Sequence, residues 1–397
     1  MTDFERTKSQ FYLPPGVIYL DGNSLGPLPL AASARLERSL QAEWGEMLIR
    51  GWNQAGWMDE PGALGDRLAP LLGAEPGAVM LGDTLSLKVF QALSAALRLN
   101  PERRVVLSDR GNFPSDLYIT EGLLAALRDD YELRLVEPDE VAGALSDDVA
   151  VLLLTEVDFR TGRLHDMRAL THAAHARGVL TVWDLAHSAG AIPVALSDTG
   201  ADFAVGCTYK YLNGGPGAPA FIYVAPKHQD DVEPILSGWL GHASPFEFGL
   251  KYAPGAGMER MRVGTPPVLG LAALDAALDI WEGVDMHDVR ARAVELSELF
   301  ISEVERRCPG VVLASPRDPL TRGSQVSFRF EHGYACMQAL IERGVIGDFR
   351  APDGMRFGFT PLYIDRNDVL QAVEILEEIL VDRWWDQPRF HVRAAVT

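Results

Sequence analysis

A lysine and an aspartate, each following an apolar stretch, are the residues of this chain best suited to chemistry. Lys210 stands between two tyrosines in "GCTYKYLNGGPG", at the end of a predicted strand and before a glycine-rich turn. Burying an ammonium group costs on the order of several kcal/mol, so lysines rarely end buried strands unless they are paired or used. Desolvation favours the neutral amine, which is a nucleophile for carbonyl groups. The alternative is a solvated lysine at the end of a sheet.

The aspartate lies in "VLTVWDLAHSAG", where Asp184 ends an apolar stretch and His187 follows three residues later. A carboxylate at that point could cap a helix. It could equally serve as the anionic partner of a protonated ring nitrogen.

A third candidate is the start of the predicted helix in "GDTLSLKVF". Asp83 or Thr84 can cap this helix, and Thr84 and Ser86 bring hydroxyl groups close to its free N–H groups. A helix N-terminus of this kind binds phosphate well, although an ordinary N-cap is the alternative. No Walker loop and no G-x-G-x-x-G after a strand occurs here, so a nucleotide is not predicted.

Two loops add flat and polar groups. In "NFPSD", Phe113 offers an aromatic face, and Ser115 and Asp116 offer polar atoms. In "YLDGNSLGPLP", a short apolar run is cut off by glycine, Asn23 and prolines, which is typical of a turn. The same stretch could instead line a ligand with its polar side chains and bare backbone.

Together the lysine, the aspartate, the helix start and the NFPSD loop meet the requirements of one cofactor, pyridoxal 5'-phosphate. It needs a phosphate cradle, a ring-stacking aromatic residue, a carboxylate for the ring nitrogen and a lysine for covalent attachment. We predict that Asp184 keeps the pyridine nitrogen protonated. Lys210 would hold the cofactor and act as a base in proton transfer.

The elements that position these residues alternate along the chain from about residue 84 onward. Strand-helix alternation predicts an α/β protein whose large domain has a mostly parallel, seven-stranded-type sheet covered by helices. A smaller C-terminal α+β domain follows. The predicted boundaries are 1–50 for an N-terminal arm and helix, 51–267 for the large cofactor-binding domain, and 268–397 for a linking helix and the small domain.

Composition excludes several classes of function. The 397 residues carry a formal net charge of −19, a poor balance for binding nucleic acid or an anionic membrane. Three widely spaced cysteines form neither a disulfide framework nor a zinc cluster, and the nine histidines show no metal-ligand spacing. Without a signal pattern or a spanning apolar stretch, the sequence predicts a cytoplasmic protein with no metal.

The same stretches, in order and spacing, resemble kynureninase. "YLDGNSLGPLP", "NFPSD", "WDLAHSAG", "TYKYLNGGPGAPAFIYV", "GWLGH" and "APDGMRFGFTPLY" carry the resemblance, which covers nearly the whole chain. It implies a pyridoxal-phosphate-dependent homodimer of the aminotransferase-like fold, with active sites shared between subunits. The implied reaction is hydrolysis of L-kynurenine to anthranilate and L-alanine in tryptophan catabolism and the kynurenine pathway toward NAD, with 3-hydroxykynurenine as a weaker substrate.

The resemblance also assigns roles to individual residues. Lys210, Tyr209 and Asp184 would be catalytic, and Arg356 would bind the substrate carboxylate through its planar fork. Trp52, Gly264 and Asn23 would line the substrate, while Trp239 and Thr265 would reach in from the partner subunit. The implied cofactor-binding set is Leu85, Ser86, Phe113, Pro114, Ser115, Asp116, Thr155, Asp184, His187, Tyr209, Lys210, Trp239 and Thr265.

Substrate preference follows from two of these positions. Kynureninases that favour 3-hydroxykynurenine carry His in the early helix-loop and Ser-Asn before the proline pair. This sequence has Trp52 and Gly264-Thr265 there, and a bulky indole and a residue without a side chain would leave the ring hydroxyl crowded or unpaired. The sequence therefore predicts a preference for L-kynurenine.

Two other functions fit parts of the pattern. A cysteine desulfurase or another pyridoxal-phosphate lyase shares the fold and the lysine, but the former needs a reactive cysteine on a mobile loop. Cys207 lies in a predicted strand, Cys308 ends a predicted helix and Cys336 lies within one, so none suits that role. A binding or regulatory protein would not need Lys210, Asp184 and Arg356 together.

Overall fold

A seven-stranded sheet forms the centre of the larger part of the molecule, in a computed structural model that describes residues 1–127 and 130–393. The N-terminal elements are α1 (Phe4–Lys8), β1 (Phe11–Tyr12), β2 (Ile18–Tyr19), β3 (Leu28–Pro29), α2 (Leu30–Arg38), α3 (Gly51–Gln54) and α4 (Glu60–Leu68). The central elements are β4 (Val79–Leu81), α5 (Leu85–Leu99), β5 (Val105–Asp109), α6 (Pro114–Leu127), β6 (Glu132–Val136), α7 (Val141–Ala144), β7 (Val149–Thr155), α8 (Met167–His175), β8 (Leu180–Asp184), α9 (Leu196–Thr199), β9 (Phe203–Gly206) and β10 (Phe221–Val224).

The sheet runs in the order β4–β10–β9–β8–β7–β5–β6. Only β10 is antiparallel to its neighbours, β9 and β4, so the prediction of a mostly parallel sheet is confirmed. Every residue of β7 is buried because helices cover both faces of the sheet. Helix α5 covers one face with apolar residues at helical spacing, among them Val89, Leu93 and Leu97.

The smaller part of the molecule begins with two helices. Its elements are α10 (Val268–Leu278), α11 (Met286–Arg307), β11 (Val312–Leu313), β12 (Gln325–Arg329), α12 (Gly333–Glu342), β13 (Val345–Ile346), β14 (Asp348–Arg350), β15 (Gly354–Gly358) and α13 (Arg366–Val381). Gly283, with a φ of +74°, lies between α10 and α11 and allows the chain to turn there. An antiparallel sheet in the order β11–β12–β15–β14 packs against α11 and α12, and α13 packs on both helices, so a smaller α+β unit is present as predicted.

The N-terminal segment joins the two parts. β2 pairs in parallel with β13, which places Ile18 opposite Val345. Lys8 forms ion pairs of 2.7 Å with Asp365 and Asp368 at the start of α13. The beginning of the chain is therefore built into the small C-terminal unit.

A buried carboxylate ties three elements of the large sheet together. Asp202, which precedes β9, accepts hydrogen bonds from the backbone N–H of Thr181 on β8 and from His175 at the end of α8. Lys227 and His228, which follow β10, approach its other oxygen at 2.7 and 2.8 Å. These contacts lower the pKa of Asp202 far below its ordinary value, although burial acts in the opposite direction.

Within the described ranges, no helix is both long and apolar enough to cross a bilayer.

Candidate active site

The carboxyl ends of four parallel strands meet at one edge of the large sheet, where ligands bind in open α/β folds. Thr155 and Asp184 end β7 and β8 and lie side by side in the strand register. Asp109 ends β5, and the chain leaves β9 toward Lys210 at the same edge.

Lys210 lies beyond the sheet rather than at a strand end. β9 ends at Gly206, and the stretch predicted as strand through Lys210 turns away, with the backbone N–H of Gly214 donating to Thr208 O. This correction has a physical cause: β9 has pairing partners on both sides only through Val205, and Gly206 pairs with β10 alone. The turn directs the lysine side chain across the edge of the sheet.

The amine of Lys210 lies among a histidine and two aromatic rings. Its Nζ is 3.0 Å from Nε2 of His187, 5.9 Å from the ring centre of Tyr209 and 6.0 Å from that of Phe113. Burial, and then the charge of Lys210, lower the pKa of His187 well below its ordinary value. His187 is therefore neutral, and its Nε2 accepts a hydrogen bond from Lys210.

Asp184 is part of a pair of buried carboxyl groups. It accepts a hydrogen bond of 2.8 Å from the backbone N–H of Ala186, so it closes a turn and does not cap a helix. Asp116 lies beside it, fully buried, with Oδ2 free of any partner. Burial and the charge of Asp184 raise the pKa of Asp116 well above its ordinary value, and burial also raises that of Asp184. The pair therefore holds a proton between its two members.

The start of α5 is open to a ligand. Thr84 is the N-cap residue, but its side chain makes no capping hydrogen bond, and Asp83 instead pairs with Lys88. Ser86 in the first turn lies 3.1 Å from Ser115, hydroxyl to hydroxyl. Free N–H groups with two hydroxyls beside them are the donor set that a phosphate group needs.

Asn112 is a residue of the site that the sequence interpretation missed. Its amide oxygen accepts hydrogen bonds from Thr155 and from the backbone N–H of Phe113, and its amide nitrogen donates to Ser108 at 2.9 Å. It thus fixes the Phe113 loop to the end of β7. Only its position before Phe113, at the start of the loop, could have indicated this role.

The GNSLG stretch lies against the lysine turn. Gly26 donates its backbone N–H to Tyr209 O at 2.8 Å, and a Cβ at this position would lie 2.5 Å from Lys210 O. Asn23 is fully buried, and neither its amide oxygen nor its amide nitrogen has a partner. The stretch is therefore both a turn and a wall of the site, and it leaves unpaired polar atoms inside.

Arg356 is already engaged by the protein. Its Nε donates to Asp348 at 2.6 Å, its Nη2 donates to Asp348 and to Ser24, and its Nη1 donates to the carbonyl oxygen of Phe159. The planar fork expected for the substrate carboxylate thus faces Asp348, and only N–H groups outside that fork remain for a ligand.

Four other predicted site residues lie apart from this cluster. Trp52 is half-buried with its ring edge against Trp57, at 6.0 Å between centres, and Trp239 is 41% exposed beside Phe246. Gly264 and Thr265 lie on the following loop, Gly264 half-exposed and Thr265 exposed. Within one chain the structure does not bring these four residues to Lys210.

The remaining predicted residues come together and fit the expected cofactor. Leu85 begins α5, and Pro114 begins α6 as a first-turn proline commonly does. The uncapped helix start, the buried carboxylate of Asp184 and the amine of Lys210 are the groups that would take a phosphate, a ring N–H and a covalent bond.

Comparison with known proteins gives a consistent result. Residues 289–376 match a family model described as the kynureninase C-terminal domain. A kynureninase of Burkholderia pseudomallei (strain 1106a) is 52% identical, and one of Pseudomonas fluorescens is 51% identical. Both alignments cover 98% of this chain and 95% of the relative.

Solved structures share the fold at much lower sequence identity. A cysteine desulfurase from Thermococcus onnurineus NA1 superposes with a TM-score of 0.80 at 18% identity, covering 96% of this chain and 99% of its own. A variant of the cystine C–S lyase C-DES, with glycine covalently linked to the PLP cofactor, gives the same TM-score and identity over 95% and 100%. These likenesses establish the aminotransferase-like fold alone.

Proposed function

The chain belongs to the kynureninase family, and we propose how its own residues divide the work of cleaving kynurenine. Its relatedness to kynureninases over nearly the full length makes it a pyridoxal-phosphate-dependent hydrolase that cleaves kynurenine. That relatedness carries the conclusion, and the geometry at Lys210 supports the roles given below. Incubation with L-kynurenine, with anthranilate followed by fluorescence and alanine by mass spectrometry, tests the reaction directly.

The residues around Lys210 would hold the cofactor. The start of α5, with Ser86 and Ser115, would bind its phosphate, Phe113 would cover its ring, and Asp184 would keep its ring nitrogen protonated. When bound, pyridoxal phosphate supplies an electron sink for a carbanion at the substrate α carbon. The protein's own part is to place a negative charge at Asp184 and a base at Lys210.

Proton transfer would centre on the Nζ of Lys210. Once released by the substrate's amine, Nζ would take the proton from the substrate α carbon. His187 is neutral and only 3.0 Å away, so its Nε2 can accept a hydrogen bond from this amine and fix its direction. Tyr209, whose pKa burial raises, stays a phenol and can donate a hydrogen bond.

Chemical trapping tests the assignment of Lys210. Borohydride reduction of the cofactor-loaded protein, followed by peptide mapping, should place a pyridoxyl group on Lys210. Lys88 provides an internal comparison, because it is fully buried on α5 near the same helix start. A label on Lys88, or on no lysine, would refute the assignment.

We propose further that L-kynurenine is preferred over 3-hydroxykynurenine. A ring hydroxyl that loses its water without a new partner costs about 1–3 kcal/mol, roughly a ten-fold to hundred-fold loss of specificity. Gly264 offers no side chain, and a Cβ built there meets no atom within 4 Å. Neither Gly264 nor the indole of Trp52 supplies an acceptor for the hydroxyl.

Gain of function tests this preference. The variant Gly264→Ser/Thr265→Asn adds polar groups where the structure leaves space, and it should raise kcat/KM for 3-hydroxykynurenine relative to kynurenine. The comparison is the ratio of the two kcat/KM values in wild type and variant. Equal ratios, or a wild-type ratio of one, would show that these positions do not set the preference.

We propose that the protein acts as a homodimer. Large apolar side chains are exposed in two regions, the N-terminal helices and the loops around Trp239, and a monomer rarely leaves such patches in water. These residues are Trp44 (57% exposed), Leu48 (61%), Ile49 (77%), Phe246 (63%), Phe248 (75%) and Leu250 (103%). A partner covering them would bring Trp239 and Thr265 to a second site, as the resemblance implies.

A cytoplasmic location is also part of the proposal. All three cysteines are buried and unpaired in the described structure, which suits a reducing compartment. The same burial argues against desulfurase chemistry, because it raises the pKa of all three thiols and keeps them from a substrate.

A further inference from the structure

The carboxylate of Asp348 contacts two arginines, and only one of them, Arg356, has a role implied by the family resemblance. Strands β14 and β15 are antiparallel with Asp348 opposite Arg356, so these two side chains lie on the same face of the sheet. Arg350 lies two residues after Asp348 on β14 and shares that face. Its Nη2 is 2.9 Å from Oδ2 of Asp348.

Arg350 is held by Asp348 and is only partly exposed to solvent. Its side chain is only 39% exposed, its Nη1 donates to Phe349 O at 2.9 Å, and burial lowers its pKa. The charges of Lys210, Arg356 and Arg350, in that order, act on His187 after burial in lowering its pKa. The carbonyl oxygen of Phe159 accepts from Arg356, and the ring of Phe159 lies 5.0 Å from that of Phe113, which is 6.0 Å from Nζ of Lys210. Arg356, and Arg350 through their shared Asp348, therefore lie near the Lys210 side of the site.

The charges of this cluster decide whether it can attract a carboxylate. Arg356 and Asp348 alone are a neutral buried pair, and Arg350 gives the group a net positive charge. Asp21 lies beside them. Its pKa is raised to about 7, mainly by burial and secondly by the charge of Asp348. Without Arg350, the group formed by Arg356, Asp348 and Asp21 would be neutral when Asp21 is protonated and would carry one negative charge when Asp21 is ionised. In neither state would this group carry a net positive charge.

We propose that Arg350 is a positioning residue for the substrate carboxylate. Asp348 pairs with both arginines, so it can orient Arg356 while the charge of Arg350 leaves the three groups with a net positive charge. This inference rests on the proposed function and on the role of Arg356 in binding the substrate carboxylate, which the family resemblance implies.

The test is the substitution Arg350→Gln, with Arg350→Lys and Arg329→Gln beside it. Arg350→Gln should raise KM for L-kynurenine about ten-fold or more, while kcat stays within about two-fold. The reason is that the charge of Arg350 contributes to binding of the substrate carboxylate and not to the chemical step. Arg350→Lys keeps the charge and should recover most of the loss. Arg329 is the control. It lines the same small cleft as Arg350, is exposed, and has no carboxylate within 4 Å in the described structure. Arg329→Gln therefore removes the same charge without removing a contact to Asp348.

Two ligands separate a loss of recognition from a general structural change. Kynuramine lacks the α-carboxylate, and its inhibition constant should be the same in wild type and Arg350→Gln. L-alanine carries that carboxylate, and its Kd by calorimetry should rise in parallel with KM, in a measurement that does not depend on turnover.

The outcomes also separate this inference from the role of Arg356. If Arg356→Lys raises KM and Arg350→Gln does not, the inference is wrong and the carboxylate site stands. If neither substitution changes KM, both are wrong and the site lies elsewhere. An equal rise in Arg329→Gln, or an equal shift for kynuramine, would also overturn the role of Arg350.

Discussion

At the scale of single residues, the two buried carboxyl groups of Asp184 and Asp116 have different tasks. Asp184 accepts a hydrogen bond from the backbone N–H of Ala186. The positive charge of Lys210 lowers the pKa of Asp184 and so opposes the rise that burial causes. Asp116 has no such donor, and its pKa is raised well above the ordinary value. Asp116 therefore holds the proton and Asp184 the charge.

A pair of substitutions distinguishes these tasks. Asp184→Asn removes the charge that we propose keeps the cofactor ring protonated, and we expect kcat to fall about 100-fold to 1,000-fold. Asp116→Asn replaces a neutral acid by a neutral amide of similar shape, so its kcat should fall far less. Turnover numbers for both variants, at matched cofactor content, check the prediction, and equal losses would contradict it.

Residue types were predicted from the sequence more readily than their contacts were. The strand-ending position of Asp184 and the glycine-rich turn after Lys210 were enough to propose these two residues for the site. The Asp348 carboxylate between Arg350 and Arg356 could not be predicted, because the contact depends on strand register within the small sheet. Asn112 was missed for a similar reason, since its acceptor role depends on Thr155, 43 positions later.

At the scale of elements, Asp202 links α8, β8 and the turn after β10. A carboxylate with a pKa lowered in the folded state stabilises the protein above its unfolded pKa, about 3.9, and this stability is lost as the pH falls toward the folded value. Since Asp202 is fully buried among its donors, the contribution should be present at neutral pH and disappear in acid.

The substitution Asp202→Asn tests this link. Breaking a buried charge cluster costs about 3–5 kcal/mol, so we expect a loss of that order at pH 7 and a flatter dependence of stability on pH below 4. Asp231→Asn, an exposed aspartate after the same turn, is the control and should change little. Urea unfolding from pH 3 to pH 7 provides the measurement, and parallel curves for wild type and Asp202→Asn would refute the link.

At the scale of the whole molecule, the large sheet and the smaller α+β unit were predictable because strand-helix alternation has a clear sequence signal. The arrangement of two subunits has no such signal, since a monomer's sequence does not say which exposed apolar residues are covered. Trp239, Gly264 and Thr265 could be assigned to a site only through the family resemblance.

Mixed dimers test whether sites are shared. In the proposed shared site, Lys210→Ala and Trp239→Ala would damage different halves, so a hybrid of the two chains would contain one undamaged site. After unfolding and refolding an equal mixture, about one quarter of all sites should be intact, and activity should exceed that of either variant alone. Lys210→Ala mixed with Asp184→Asn should show no recovery, because both residues lie in the same chain's half. Recovery in neither mixture would contradict the shared site.

The pairing of β2 with β13 has a consequence for biosynthesis. About 330 positions separate Ile18 from Val345, so the N-terminal strand cannot find its partner until nearly the whole chain has left the ribosome. The large sheet can form earlier, whereas Asn23 and Gly26 reach their places beside the lysine turn only when translation is almost complete. A nascent chain should therefore acquire its catalytic pocket last, and stalled or truncated products would carry the sheet without a working enzyme.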